Sequence, residues 1–129
     1  GLALRSATTR SVRTHSPDQS ARFEQQADAL GVNTGFAAVG ADTTIRDVNI
    51  EIVLPAGAAV ATFLIRLTSF DGTTVSAFYP NVTAAEPFAM LVSRLAPSTA
   101  AASQRLTSLT IQQATGATRA FYTVVLGLE

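Results

Sequence analysis

The strongest constraint on the fold is the two-residue period of residues 47–54. Here the apolar residues Val48, Ile50, Ile52 and Leu54 alternate with a series that is mostly polar. Successive side chains of a β-strand point to opposite faces of the sheet, so this alternation is typical of a strand with one buried face. We therefore expect a fold built from β-strands.

A second strand is predicted at residues 59–70, which are rich in β-branched and aromatic side chains. One face carries Phe63, Ile65 and Leu67, and the other carries Val60, Leu64 and Phe70 beside Arg66. Asp71-Gly72 separates this strand from residues 73–79 and predicts a tight hairpin, since glycine accepts the positive φ that such turns need. With a turn at residues 55–57, the three strands are expected to form an antiparallel meander.

Two further strands are predicted near the C-terminus, at residues 106–113 and 120–128. Residues 114–117 would join them as a second hairpin. Their expected core side chains are Leu109, Ile111, Phe121 and Val125.

One short helix is predicted before the first strand. Ser16-Pro17-Asp18-Gln19 has the pattern of a helix start, and Phe23, Ala27 and Leu30 would share one helical face that ends at Gly31. Residues 84–96 fit a second helix or a strand, and the helix is slightly favoured.

The expected fold class is mainly β, an antiparallel sheet or sandwich of about five to seven strands with one short N-terminal helix. The alternative is α+β, with a second helix at residues 84–96. Residues 1–15 are rich in Ser, Thr and Arg, and we expect a flexible or interface-forming arm there. Residues 16–129 would then form a single β-rich domain.

Composition excludes several classes of function. Nine basic and nine acidic side chains balance, so no global field would attract nucleic acid, and no apolar run is long enough for a transmembrane helix. Cysteine is absent and the single histidine, His15, lies in the arm. Asp47 and Glu51 would be roughly 13 Å apart on one strand, too far for a retaining glycosidase pair. We expect no enzyme activity, no cofactor and no metal site.

The favoured function is a structural or assembly subunit of a virion, pilus or surface array, which would be a homo-oligomer. Strands that are apolar on both faces and the polar arm support this hypothesis. The side chains expected at the interface are Arg5, Arg10, Arg13, Phe78 and Tyr79. The alternative is a non-catalytic module that binds a small molecule or carbohydrate through residues 33–42 and 80–86. An extracellular, cell-surface or virion location is slightly favoured.

Overall fold

The computed structural model describes residues 20–36, 45–72, 75–93 and 105–128, which form nine β-strands and no helix. The strands are β1 (Ser20–Gln26), β2 (Asn33–Gly35), β3 (Ile45–Val53), β4 (Ala61–Ser69), β5 (Val75–Phe78), β6 (Asn81–Val82), β7 (Phe88–Val92), β8 (Leu106–Gln113) and β9 (Phe121–Leu128). Every ladder among them is antiparallel. The prediction of a mainly β, antiparallel fold is confirmed.

The strands form two four-stranded sheets. One has the order β1-β9-β3-β7 and the other has the order β2-β8-β4-β5, with β6 also pairing with β4. A single residue pair, Ile45 of β3 with Leu106 of β8, joins them. Each strand of four or more residues alternates between a more buried and a more exposed face.

Consecutive strands of the chain cross between these sheets. If β5 and β6 are counted as one strand interrupted at Tyr79-Pro80, the eight strands alternate between the sheets except where β4 and β5 form a hairpin. This strand order is that of two interlocked Greek keys, the jelly roll. The fold is therefore an antiparallel sandwich of jelly-roll connectivity.

The inner faces of the two sheets share one core. Tyr122 of β9 lies between the rings of Phe36 and Phe63, with centroid distances of 6.0 and 6.1 Å and edge-on geometry. The predicted core residues of β3, β4 and β8, and Leu54 just after β3, are buried: Val48, Ile50, Ile52, Leu54, Phe63, Ile65, Leu67, Leu109 and Ile111. Periodicity therefore predicted the buried face of these three strands correctly.

The predicted order of strands within the sheets is only partly right. The hairpin of β4 and β5 is confirmed, and Gly72 has a φ of 74° at its turn. However, β3 does not pair with β4, and β8 does not pair with β9, among the described ladders. A short connection can join two strands that pair in one sheet, or it can join two strands in facing sheets. The β3–β4 and β8–β9 connections cross to the facing sheet, because this arrangement lets the apolar inner faces of the two sheets cover each other.

The predicted helix is wrong over the part that the structure describes. Residues 20–26 form β1, which pairs along its whole length with β9. Ala21 and Phe23 point into the core, and the Phe23 ring stacks on Phe36 at 6.4 Å. Pairing and burial supplied by β9 outweigh a local helical pattern. The predicted helix start at residues 16–19 lies outside the described residues.

Two further predictions, for edge strand β7 and central strand β9, are corrected. Residues 88–92 form strand β7 beside β3, so the slightly favoured helix at residues 84–96 is wrong there. In β9 the buried face is the opposite one: Tyr122, Val124 and Leu126 are buried, whereas Phe121 is 50% exposed. Both faces of β9 are apolar, and periodicity alone could not distinguish them.

Candidate self-association surfaces

The outer face of the β1-β9-β3-β7 sheet carries most of the charged side chains on the strands. Two rows of side chains cross the centre of this face from β1 to β7. The first row is Arg22, Val125, Asn49 and Leu91, and the second row is Glu24, Thr123, Glu51 and Ala89. Arg22 and Glu24 form an ion pair of 2.9 Å at the edge of the sheet. Asp47 lies in the row that pairs it with Gly127, and its Oδ2 is 3.8 Å from Nε of Arg46. We call this surface the Glu51 face.

Asp47 and Glu51 lie on the same face of β3, as the sequence predicts. The Asp47 carboxylate lies over Gly127, where a Cβ would overlap it. Within the described ranges, no group of three or more His, Asp or Glu side chains could hold a metal ion.

The Glu51 face contains a shallow depression of about 330 Å³. Its bottom forms because small side chains, Ala89 and Thr123, flank Glu51 in the register. Arg22, Asn49 and Val125 complete the lining on this side of the sheet. A depression of this volume has room for one long side chain from outside the molecule.

The outer face of the β2-β8-β4-β5 sheet differs in charge. Arg66 lies at its centre, paired in register with Thr110 on one side and Ala77 on the other. The surrounding side chains are neutral: Asn33, Leu64, Thr68, Val75, Ser108 and Gln112. Arg66 is exposed and is the one charged residue on the described part of this face. We call this surface the Arg66 face.

Exposed apolar side chains are found at both ends of the sandwich. Leu30 and Val32 lie between β1 and β2, and Val60 lies just before β4 at the same end. Phe70 and Val75 lie at the opposite end, beside the turn of the β4–β5 hairpin. Large exposed apolar side chains are common at surfaces that contact other proteins, although single ones are ordinary.

The end that carries Leu30 and Val60 is held together by hydrogen bonds from the β8–β9 connection. The buried amide of Gln113 donates to the carbonyl oxygens of Thr115 and Thr118 and accepts from the backbone N–H of Ala120. Nε of Arg119 donates to the carbonyl oxygen of Ala27 at 2.8 Å. These bonds tie the β8–β9 connection to β8 and to the β1–β2 connection, which carries Leu30 and Val32.

The predicted interface residues are separated by the fold or lie outside it. Phe78 packs against the core, whereas the next residue, Tyr79, is 72% exposed where β5 leads into β6. Arg5, Arg10 and Arg13 lie outside the described residues, as does His15. Of the predicted ligand-binding segments, residues 37–42 also lie outside them.

The sequence predicts Glu51 on an exposed face and Arg66 on the second, partly apolar face of its strand, but it does not indicate a pair of complementary faces. The sequence feature that could have indicated the Arg66 face is a single arginine, Arg66, in a mostly apolar strand. No stretch of helix in the described part of the chain has the length and hydropathy needed to cross a bilayer.

No protein-family model and no curated protein matches the chain. It is similar to a solved structure of the infectious bursal disease virus Gt strain, with 17% identity and a TM-score of 0.36 over 85% of this chain. For the Gx strain of the same virus the values are 18%, 0.34 and 87%. This chain spans 31% and 32% of those two chains. The jelly-roll connectivity follows from the strand order of this chain and not from these similarities.

Proposed function

We propose that this chain is a non-catalytic structural subunit that assembles with copies of itself in a virion or another extracellular protein array. The observation that carries the proposal is the strand order β1-β9-β3-β7 facing β2-β8-β4-β5. This jelly-roll connectivity recurs in the subunits of viral shells. One fold can serve several functions, so the proposal also needs support from the surface.

The surface supports assembly in two ways. Both sheets present broad outer faces, and apolar side chains are exposed at both ends, including Leu30, Val60 and Phe70. The arm at residues 1–15 contains three arginines and no acidic residue, which would let it contact an acidic surface on a neighbouring copy.

The test is the mass in solution, measured by light scattering across a wide range of protein concentration. We expect masses that rise above the 13.4 kDa of one chain, and a weaker rise when residues 1–15 are deleted. A chain that stays monomeric at millimolar concentration, with and without these residues, would contradict the proposal.

The second candidate function is a non-catalytic ligand- or carbohydrate-binding module. Jelly rolls also occur in lectins, and the depression beside Glu51 offers polar groups to a small ligand. A glycan array and a thermal-shift panel of small molecules test this candidate. Specific binding by a protein that remains monomeric would favour it over assembly.

A further inference from the structure

The unpaired charges on the two outer faces have opposite signs. On the Glu51 face, Arg22 is paired with Glu24, and Asp47 lies near Arg46, whereas Glu51 is exposed and forms no ion pair with any described residue. On the Arg66 face, Arg66 is exposed and likewise forms no ion pair within the described ranges. Each face therefore presents one unpaired charge near its centre.

The two faces also complement each other in shape. Arg66 stands among short side chains such as Thr110 and Ala77, so its guanidinium is the feature that projects from that face. The depression on the Glu51 face lies beside the Glu51 carboxylate. Arg22 also lines this depression, but its charge is compensated by Glu24 at 2.9 Å.

We infer that copies of this chain pack with the Arg66 face of one copy against the Glu51 face of the next, so that Arg66 enters the depression beside Glu51. This inference rests on the proposed assembly function and names the surface that carries it. Contact between two Glu51 faces, or between two Arg66 faces, would bring like charges together near the centre of the contact. Such juxtapositions suppress the wrong pairing.

A contact between two different faces has a consequence for the assembly. Every copy in such a contact retains one free Arg66 face or one free Glu51 face, so addition continues until a ring closes or a filament grows. A two-fold symmetric dimer would instead use the same face twice. Head-to-tail growth therefore distinguishes this arrangement from a simple dimer.

The contact should be weak on its own. Four strands at about 4.8 Å spacing and six residues at about 3.4 Å rise define a footprint of about 400 Å². Stable complexes usually bury about 800 Å² per partner. We therefore expect association through these faces at high micromolar concentration, and stronger association where other surfaces or the arm add contacts.

Charge reversal tests the inference directly. The full chain is compared with Arg66→Glu, Glu51→Arg and the double variant by sedimentation velocity up to millimolar concentration. Each single reversal should weaken self-association at least tenfold, and the double variant should recover most of the loss because it restores the pair in reverse. Both side chains are exposed, and circular dichroism with thermal melting verifies that each variant is folded.

The control is Glu86→Arg, at an exposed position in the β6–β7 connection outside both faces. It changes the net charge by the same amount as Glu51→Arg and should leave association unchanged.

Association that persists through both single reversals, or that the double variant does not recover, would overturn the inference and leave the assembly function standing. A wild-type chain that never associates would instead contradict the assembly function itself. Ligand binding that Glu51→Arg abolishes in a monomeric protein would also overturn the inference.

Discussion

Replacing Tyr122 with phenylalanine should stabilise the protein, because the hydroxyl group of Tyr122 is buried without a partner. The side chain is 1% exposed, and its hydroxyl oxygen has no hydrogen-bond partner within the described residues. Burying an unsatisfied hydroxyl costs about 1–3 kcal/mol. Phenylalanine would keep the edge-on contacts with Phe36 and Phe63 and would remove that cost.

The expected gain for Tyr122→Phe is about 1–2 kcal/mol in the free energy of unfolding, or roughly 3–8 °C in Tm for a domain of this size. Urea unfolding at neutral pH measures it, with the linear slope checked for each protein. The matched control is Tyr79→Phe, because Tyr79 is 72% exposed and its substitution should change stability by less than about 0.5 kcal/mol. A loss of more than about 1 kcal/mol in Tyr122→Phe would mean that the hydroxyl has a partner.

Alkaline pH provides a second measurement on the same pair of variants. Burial raises the pKa of Tyr122 above its ordinary value of 10.0, and the negative charge of Asp28 raises it further. Above pH 10 the unfolded chain loses this proton while the folded chain keeps it, so stability should fall as pH rises, by at most about 1.4 kcal/mol per pH unit. In Tyr122→Phe the free energy of unfolding should fall less steeply above pH 10. A pH dependence equal to that of the wild type would refute the raised pKa of Tyr122.

Three other predictions concern the connections and the core. Gln113→Ala should cost about 2–3 kcal/mol because the amide makes three hydrogen bonds to the β8–β9 connection, and a urea midpoint close to that of the wild type would contradict this. Gly116→Ala should cost about 1–3 kcal/mol, because its φ is 102° and a Cβ would lie 2.8 Å from a methyl group of β4. Gly57→Ala measures the cost of the positive φ alone, because Gly57 has a φ of 84° and no atom lies within 4 Å of an added Cβ. An equal loss of stability in both glycine variants would show that the overlap at Gly116 adds no cost. Ile50→Ala should cost about 2–5 kcal/mol by calorimetry, whereas Val60→Ala, at a 57% exposed position, should change stability little.

The candidate surfaces show what sequence reasoning could and could not reach. Arg66 is predicted to lie opposite the apolar face of its strand, and Glu51 opposite Ile50 and Ile52, and the structure places both as expected. That they lie on opposite outer faces of one sandwich follows only from the positions of β3 and β4 in different sheets. The depression beside Glu51 also depends on β7 and β9, which bring Ala89 and Thr123 next to it.

The sequence by itself determined the strands whose inner faces are strongly apolar and the hairpin at Asp71-Gly72, because strand periodicity and turn geometry are local properties. Tertiary structure decided the partners of each strand, the β conformation of residues 20–26 and the buried face of β9. The reason is that, apart from the β4–β5 hairpin, most strands form their hydrogen bonds with strands distant in the chain. A local pattern shows which side of a strand is apolar, but the neighbouring strands and the facing sheet decide which side is covered.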